Sequence, residues 1–213
     1  MGAGGIDLTA IILAGGESRR FGAEKPLMDL RGKAMVEWVL EKIGVIASEA
    51  IIVTTRKNLK GMPNLHGARV LEDELPALGP LGGIYTGLKH ARRRICLVAP
   101  SDTPFISRDL MGFLVRSLGE HQAVVPMWPN GYLESLHSVL ERDSALKAAG
   151  EAIDSGDLSV RGLFDRLSDV EFMDVELLRE YDPELLTFFN VNTWEDLKKA
   201  RRIAGDERDY QDG

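Results

Sequence analysis

Short apolar runs rich in β-branched residues alternate along this chain with helical apolar patterns, and that alternation admits few folds. It is the signature of successive βαβ units. Residues 8–13 read as the first strand, and residues 34–46 as an amphipathic helix with Val36, Val39, Leu40 and Ile43 on one face. Residues 49–54 and 69–71 follow as strands, 83–91 as a helix, 95–99 as the most buried strand, 110–118 as a helix and 123–126 as a strand. The rhythm changes at Pro129-Asn130-Gly131, a turn signal from which residues 132–140 leave as another strand. Helices at 143–153 and around Leu163, a strand at 170–173, and a helix capped by Thr193 and running through Ile203 complete the pattern.

A length of 213 residues suits one domain with helices on both faces of a sheet. The expectation is an α/β fold, a Rossmann-like three-layer αβα sandwich with a mostly parallel sheet and one antiparallel strand. Its core would span about residues 8–204, with a frayed tail at 205–213. The net charge of −7 argues against a nucleic-acid partner. It does not argue against a triphosphate, because screening over roughly 8 Å lets local arginines outweigh distant carboxylates. The longest apolar runs, at 10–14 and 95–100, are far below membrane-spanning length. Met1-Gly2-Ala3-Gly4-Gly5 has neither the basic nor the hydrophobic region of a signal peptide. Cys96 is the single cysteine and forms no internal disulfide. A cytoplasmic protein without membrane partners is expected.

The first strand runs through Ile11-Ile12-Leu13-Ala14 into Gly15-Gly16, and Arg19, Arg20 and Lys25 follow before Pro26. This is a strand emptying into a loop suited to polyphosphate. The glycines allow a sharp turn and close approach of backbone N–H groups to an anion, and the cations supply charge of the right sign. It is not a Walker A loop, since Lys25 follows Glu24 and Pro26 stands where Ser or Thr would hold magnesium. Nor does a G-x-G-x-x-G follow the strand. The loop resembles the L-A-G-G-x-S-x-R-x-G-x-x-K signature of the nucleotidyltransferases that make molybdenum-cofactor dinucleotides, the MobA-like family, and in particular its guanylyltransferases. The resemblance spans residues 8 to about 197, with motifs in register and order.

The resemblance gives meaning to segments that are ambiguous alone. Ser101-Asp102-Thr103-Pro104-Phe105 follows the buried strand, where open α/β sheets bind ligands. On its residues Asp102 reads first as a turn N-cap; in the family D-x-P-F is the metal-site motif, which implies Mg²⁺ held by Asp102 and phosphate oxygens. Asp73, Gly79 and Gly82, in Glu72-Asp73 and the glycine-rich loop Gly79-Pro80-Leu81-Gly82-Gly83, match the positions the family uses for base and ribose. Arg161 matches a short arginine segment that reaches toward phosphates or pterin. Phe189-Asn190-Val191-Asn192-Thr193 matches F-x-N-x-N-T, with Asn190 and Asn192 on one side of an extended segment, facing metal or acceptor. Two departures stand out: His137 lies in Glu134-Ser135-Leu136-His137 where relatives carry Pro-Leu, and Thr54-Thr55 replaces an Asn-rich segment. The four histidines, 66, 90, 121 and 137, show no ligand spacing.

The implied function is transfer of GMP from GTP to the phosphate of molybdopterin with release of pyrophosphate. Lys25, Arg19 and Asp102 would be catalytic, with Leu13, Ala14, Gly15, Gly16, Lys25, Asp73, Gly79, Gly82 and Asp102 binding the nucleotide. Partners would be GTP, molybdopterin and enzymes that deliver or accept the cofactor. Three alternatives remain open. They are a cytidylyltransferase for the same cofactor, whose relatives more often read L-A-A-G, a sugar-phosphate nucleotidyltransferase, and a non-catalytic guanine-nucleotide-binding escort or regulator.

Overall fold

The computed structural model describes residues 6–15 and 25–205. Strand β1 (Ile6–Ala14) leads the described chain. The hairpin β2 (Asp29–Leu30) and β3 (Lys33–Ala34) follows, then α1 (Met35–Ile43), β4 (Ala47–Thr54), α2 (Arg56–Leu59), β5 (Ala68–Glu72), α3 (Gly79–His90) and β6 (Ile95–Pro100). Beyond them come α4 (Arg108–Ser117), β7 (Ala123–Met127), β8 (Val139–Glu141), α5 (Arg142–Asp154), α6 (Val160–Phe164), β9 (Val170–Asp174) and α7 (Trp194–Ile203). Seven strands form one sheet in the order β5-β4-β1-β6-β8-β7-β9. β8 runs antiparallel to β6 and β7, and every other pair in that sheet is parallel. The mostly parallel sheet with one reversed strand is as expected.

Central strands are covered on both faces, and this explains their unbroken apolar runs. Along β1, Leu8, Ala10, Ile12 and Ala14 enter one core while Ile11 turns to the other, and β4 and β6 alternate in step. The first core is closed by Val36, Val39 and Ile43 of α1 and by Leu110, Met111 and Leu114 of α4. The second is closed by Leu81, Ile84 and Leu88 of α3 and by the alanines 145, 148, 149 and 152 of α5. These are the outer layers of the sandwich. At the amino end of the sheet, Glu49 is nearly buried, its side chain 9% exposed. It accepts from Thr9 Oγ1 (2.7 Å), the Arg92 amide (2.9 Å) and Arg69 (2.9 Å). Burial pushes its carboxyl up, but the Thr9, Arg92 and Arg69 donors more than offset this and hold it below the usual 4.5.

A third, smaller core joins distant parts of the chain. Met28, Leu30 and Met35 meet Val191, Leu197 and Ala200, with Trp38, Phe105 and Phe189 packed around them. α7 therefore grips the hairpin, and Thr193 caps it as the sequence predicts, accepting from Asp196 N–H at 3.1 Å.

Three expectations need correction. α3 starts at Gly79 rather than residue 83, so the Gly-Pro-Leu-Gly segment is the first turn of a helix and not a loop. Pro80 suits that turn, where its missing N–H costs nothing. Residues 132–140 are not one strand: after a bridge at Leu133 to Met127, only Val139–Glu141 joins the sheet. The His137 N–H bonds Glu134 O at 2.8 Å and the Ser138 hydroxyl bonds Ser135 O at 3.0 Å, a local turn after which the ladder resumes with the Val98 N–H on Ser138 O at 2.8 Å. α1 stops at Ile43, short of residue 46. No helix among the described residues is long and apolar enough to cross a membrane.

Candidate active site

β1 lies between β4 and β6, so successive crossovers leave it in opposite directions, which opens a crevice at the carboxyl ends of the strands. A cavity of about 630 Å³ lies there. Leu13, Gly15, Asp73, Gly79, Asp102 and Asn190 all line it, residues far apart in sequence that the sequence reading had grouped.

Each is brought there by a specific local device. The Ser101 amide donates to Leu13 O at 3.0 Å, extending the β1–β6 ladder one step past Pro100 and setting Asp102 beside the end of β1. The Val191 amide then donates to Asp102 O at 2.9 Å, while the Val191 side chain is fully buried in the small core. This pins the neighbouring Asn190 to the same wall. One of its Nδ2 hydrogens donates to Phe188 O at 3.1 Å, which fixes the amide plane and leaves its oxygen as an acceptor. Asp73 is 8% exposed, and its Oδ1 accepts from Thr86 Oγ1 at 3.0 Å and Leu75 N–H at 2.9 Å. Those bonds orient the carboxylate at the start of the turn that leads to α3.

Glycines set how closely α3 approaches. A Cβ at Gly87 would stand 2.4 Å from Ile11 Cγ2, and one at Gly83 would stand 3.2 Å from Leu13 Cδ2. The helix backbone thus lies directly on the side chains of β1, with its amino end at the cavity. Free N–H groups and a partial positive charge at such an end favour anions and carbonyl-rich rings.

Other predicted residues stand elsewhere. Ala14 is buried in the first core, and only its carbonyl serves the site region. Gly82 does not line the cavity; a Cβ there would stand 2.2 Å from Leu75 O, so it serves the close seating of the turn on α3. The Asn192 amide N–H bonds Asp196 Oδ2 at 2.9 Å, and the residue is not on the cavity wall. Arg161 sits on the exposed face of α6, 3.6 Å from Asp165, also away from the wall. Gly16 and Arg19 lie outside the described residues. The backbone of Lys25 opens a short 3-10 turn whose next residue, Pro26, lines the cavity.

Sequence reasoning missed Thr55, Ser101 and Leu136 on the wall. It also left His137 without a partner. That ring is 1% exposed, stands edge-on to Phe188 at 5.1 Å and places Nε2 3.4 Å from Thr103 Oγ1. It therefore links the Leu136 segment to the Asp102 turn. Among the described residues no group of three or more His, Cys, Asp or Glu could hold a metal by itself. Asp102 and the Asn190 oxygen are hard donors of the kind magnesium takes alongside phosphate oxygens and water.

The sheet order, the crevice and the glycine-seated helix are those of an α/β nucleotidyltransferase. A crystal structure described as molybdopterin-guanine dinucleotide biosynthesis protein A from Archaeoglobus fulgidus superposes with a TM-score of 0.79 at 32% identity, covering 92% of this chain and 98% of that one. A probable molybdenum cofactor guanylyltransferase from Methanosarcina mazei is 34% identical over 200 residues, 89% of this chain and 88% of that protein. Another so named, from Thermococcus sibiricus, is 33% identical over 91% of this chain and 97% of its own. The chain belongs to the MobA-like NTP transferase domain family, whose model matches residues 10–170.

Proposed function

We propose that this nucleotidyltransferase moves GMP from GTP to the phosphate of molybdopterin, with Mg²⁺, in the cytoplasm. The observation that carries the reading is the convergence of Asp102, Asp73, Gly15 and the amino end of α3 on one cavity. The relatives named for this activity support it over nearly the whole chain. A single free cysteine suits a reducing compartment.

A molybdopterin phosphate oxygen, ionised at neutral pH, attacks the α-phosphorus of GTP. The new P–O bond forms as the bond to the β-phosphate oxygen breaks, and pyrophosphate leaves. No general base or covalent intermediate is required, so the protein contributes position and charge. Asp102 and Asn190 would hold the cation, which when bound neutralises charge on the triphosphate. Lys25 and Arg19 would add charge to the same groups. Asp73 and Gly79 would accept and pack the ribose and base. Leu136 and Asn190, both on the cavity wall, would face the acceptor.

The test is pyrophosphate release from GTP and, in parallel, CTP, with magnesium and metal-loaded molybdopterin, each against an acceptor-free control. Acceptor-dependent release from GTP alone supports the reading. A preference for CTP would keep the mechanism and overturn the base. Binding without release would favour an escort, and an inert pair of nucleotides would move the search to sugar phosphates.

A further inference from the structure

Two side chains converge on a single backbone atom beside the cavity. Thr54 Oγ1 donates to the carbonyl of Ala14 at 2.9 Å, and Asn58 Nδ2 donates to the same oxygen at 3.1 Å. Ala14 ends β1, and its register partner Thr54 ends β4. Thr54 is 0% exposed and Asn58 5%. Asn58 is itself held, its N–H on Thr55 Oγ1 at 3.3 Å and its carbonyl accepting from Gly61 at 3.1 Å. The two lone pairs of the Ala14 carbonyl are thus both engaged.

The consequence follows from peptide geometry. A peptide unit is planar and trans, and none among the described residues is cis, so a carbonyl and the N–H that follows it point in opposite directions. Turning the Ala14 carbonyl toward β4 and α2 aims the Gly15 N–H to the other side, where β6 and the Asp102 turn lie. Gly15 is on the cavity wall, and a Cβ there would rest 3.6 Å from Thr55 Cγ2, so the residue lies directly on the start of α2. With glycine on one side, this peptide would otherwise rotate with little steric resistance. A flipped peptide would show a carbonyl to any phosphate in the cavity, and would leave two buried donors without an acceptor.

We propose that Thr54 and Asn58 are positioning residues, a two-donor clamp that holds the 14–15 peptide so that the Gly15 N–H faces a polyphosphate in the cavity. The inference rests on the nucleotidyl-transfer reading and deepens it. Two probes, GTP and inorganic tripolyphosphate with magnesium, separate the clamp from the identity of the base. Thr54→Val and Asn58→Leu roughly keep size and add no charge while removing the donor, and Thr54→Ser keeps the hydroxyl. Thermal unfolding checks that each variant is folded.

Thr54→Val and Asn58→Leu should each weaken both probes by about three- to tenfold, the worth of one neutral hydrogen bond. Thr54→Ser should bind as wild type, and the KM for the acceptor should not move in any of the three. In ¹⁵N-labelled wild type the Gly15 amide resonance should shift on tripolyphosphate addition. Folded Thr54→Val and Asn58→Leu variants that bind tripolyphosphate within twofold of wild type would overturn the clamp, as would a Gly15 amide that stays put at saturation. Clamp-dependent tripolyphosphate binding without GTP turnover would instead overturn the functional reading and leave the clamp standing.

Discussion

Gly82→Ala tests whether close backbone packing, and not nucleotide contact, explains this glycine. The added Cβ would stand 2.2 Å from Leu75 O and 3.1 Å from Leu75 C. Ordinary carbon–oxygen contacts begin near about 3.3 Å, so the two backbones must part by roughly 1 Å. α3 is already seated on Ile11 and Leu13 through Gly87 and Gly83, which leaves the turn at Leu75 to move. That motion strains the Leu75 N–H bond to Asp73 and displaces Pro76 and Ala77, which line the cavity. Alanine gains about 1 kcal/mol of helix propensity. Against it stand an overpacking cost of about 1–3 kcal/mol, at the upper end because the obstacle is backbone, and about 1 kcal/mol for the strained bond. The net loss is about 1–3 kcal/mol, a fall in Tm of roughly 3–10 °C for a chain of this size. A wall displaced by about 1 Å should also slow transfer by about 10- to 100-fold. Gly150→Ala is the control: its Cβ would meet only Tyr85 Cε2, at 3.8 Å, so it should stabilise by about 0.5–1 kcal/mol. Urea titration and pyrophosphate release read both variants. A Gly82→Ala protein as stable and as active as wild type would refute the packing argument.

Four further outcomes are expected. Asp102→Ala should fold normally yet lose pyrophosphate release at ordinary magnesium; retained turnover would remove Asp102 from the cation site. Lys25→Ala should lower the rate by about 10²–10³-fold if its charge acts in the transition state, and a change below about threefold would return it to the surface. Because the Glu49 carboxyl is depressed below 4.5, its contribution to stability is present above that value and lost as pH falls through the folded-state pKa. Glu49→Gln should therefore be less stable than wild type at pH 7 by about 1–3 kcal/mol. That gap should narrow as the pH is lowered below 4.5 in denaturant titrations, and a pH-independent gap would argue against the charge. Burial pushes the Cys96 thiol up to about 12, so the native protein should resist iodoacetamide at pH 8 and react once unfolded.

What the sequence made legible follows from where each segment is buried. β1, β4 and β6 declare themselves because both faces are covered, and Asp102 could be placed because it follows the most buried of them. The first turn of α3 was not legible, since Gly-Pro-Leu-Gly-Gly has poor intrinsic helix propensity. Its conformation answers to Ile11, Leu13 and Leu75, contacts that no local pattern encodes. The hairpin at Asp29–Ala34 is too short for periodicity; its turn residues, Arg31 at φ 57° and Gly32 at φ 81°, are the only trace. In Asn190-Val191-Asn192 the paired amides drew the reading, yet the buried Val191 between them fixes the segment, with Asn190 on the wall and Asn192 away from it. Thr54-Thr55 registered only as a departure from relatives, and the role of Asn58 had no signal in sequence, because a buried side-chain donor acquires meaning only from its acceptor.

The small core that joins Met28, Leu30 and Met35 to Val191, Leu197 and Ala200 also orders events in time. A chain emerging from the ribosome delivers β1, the hairpin and α1 well before α7. Asn190 joins the described wall, and the hairpin gains its packing against Val191, Leu197 and Ala200, only when the last part of the chain arrives. A nascent chain therefore carries most of its sheet before the cavity wall and the small core are complete.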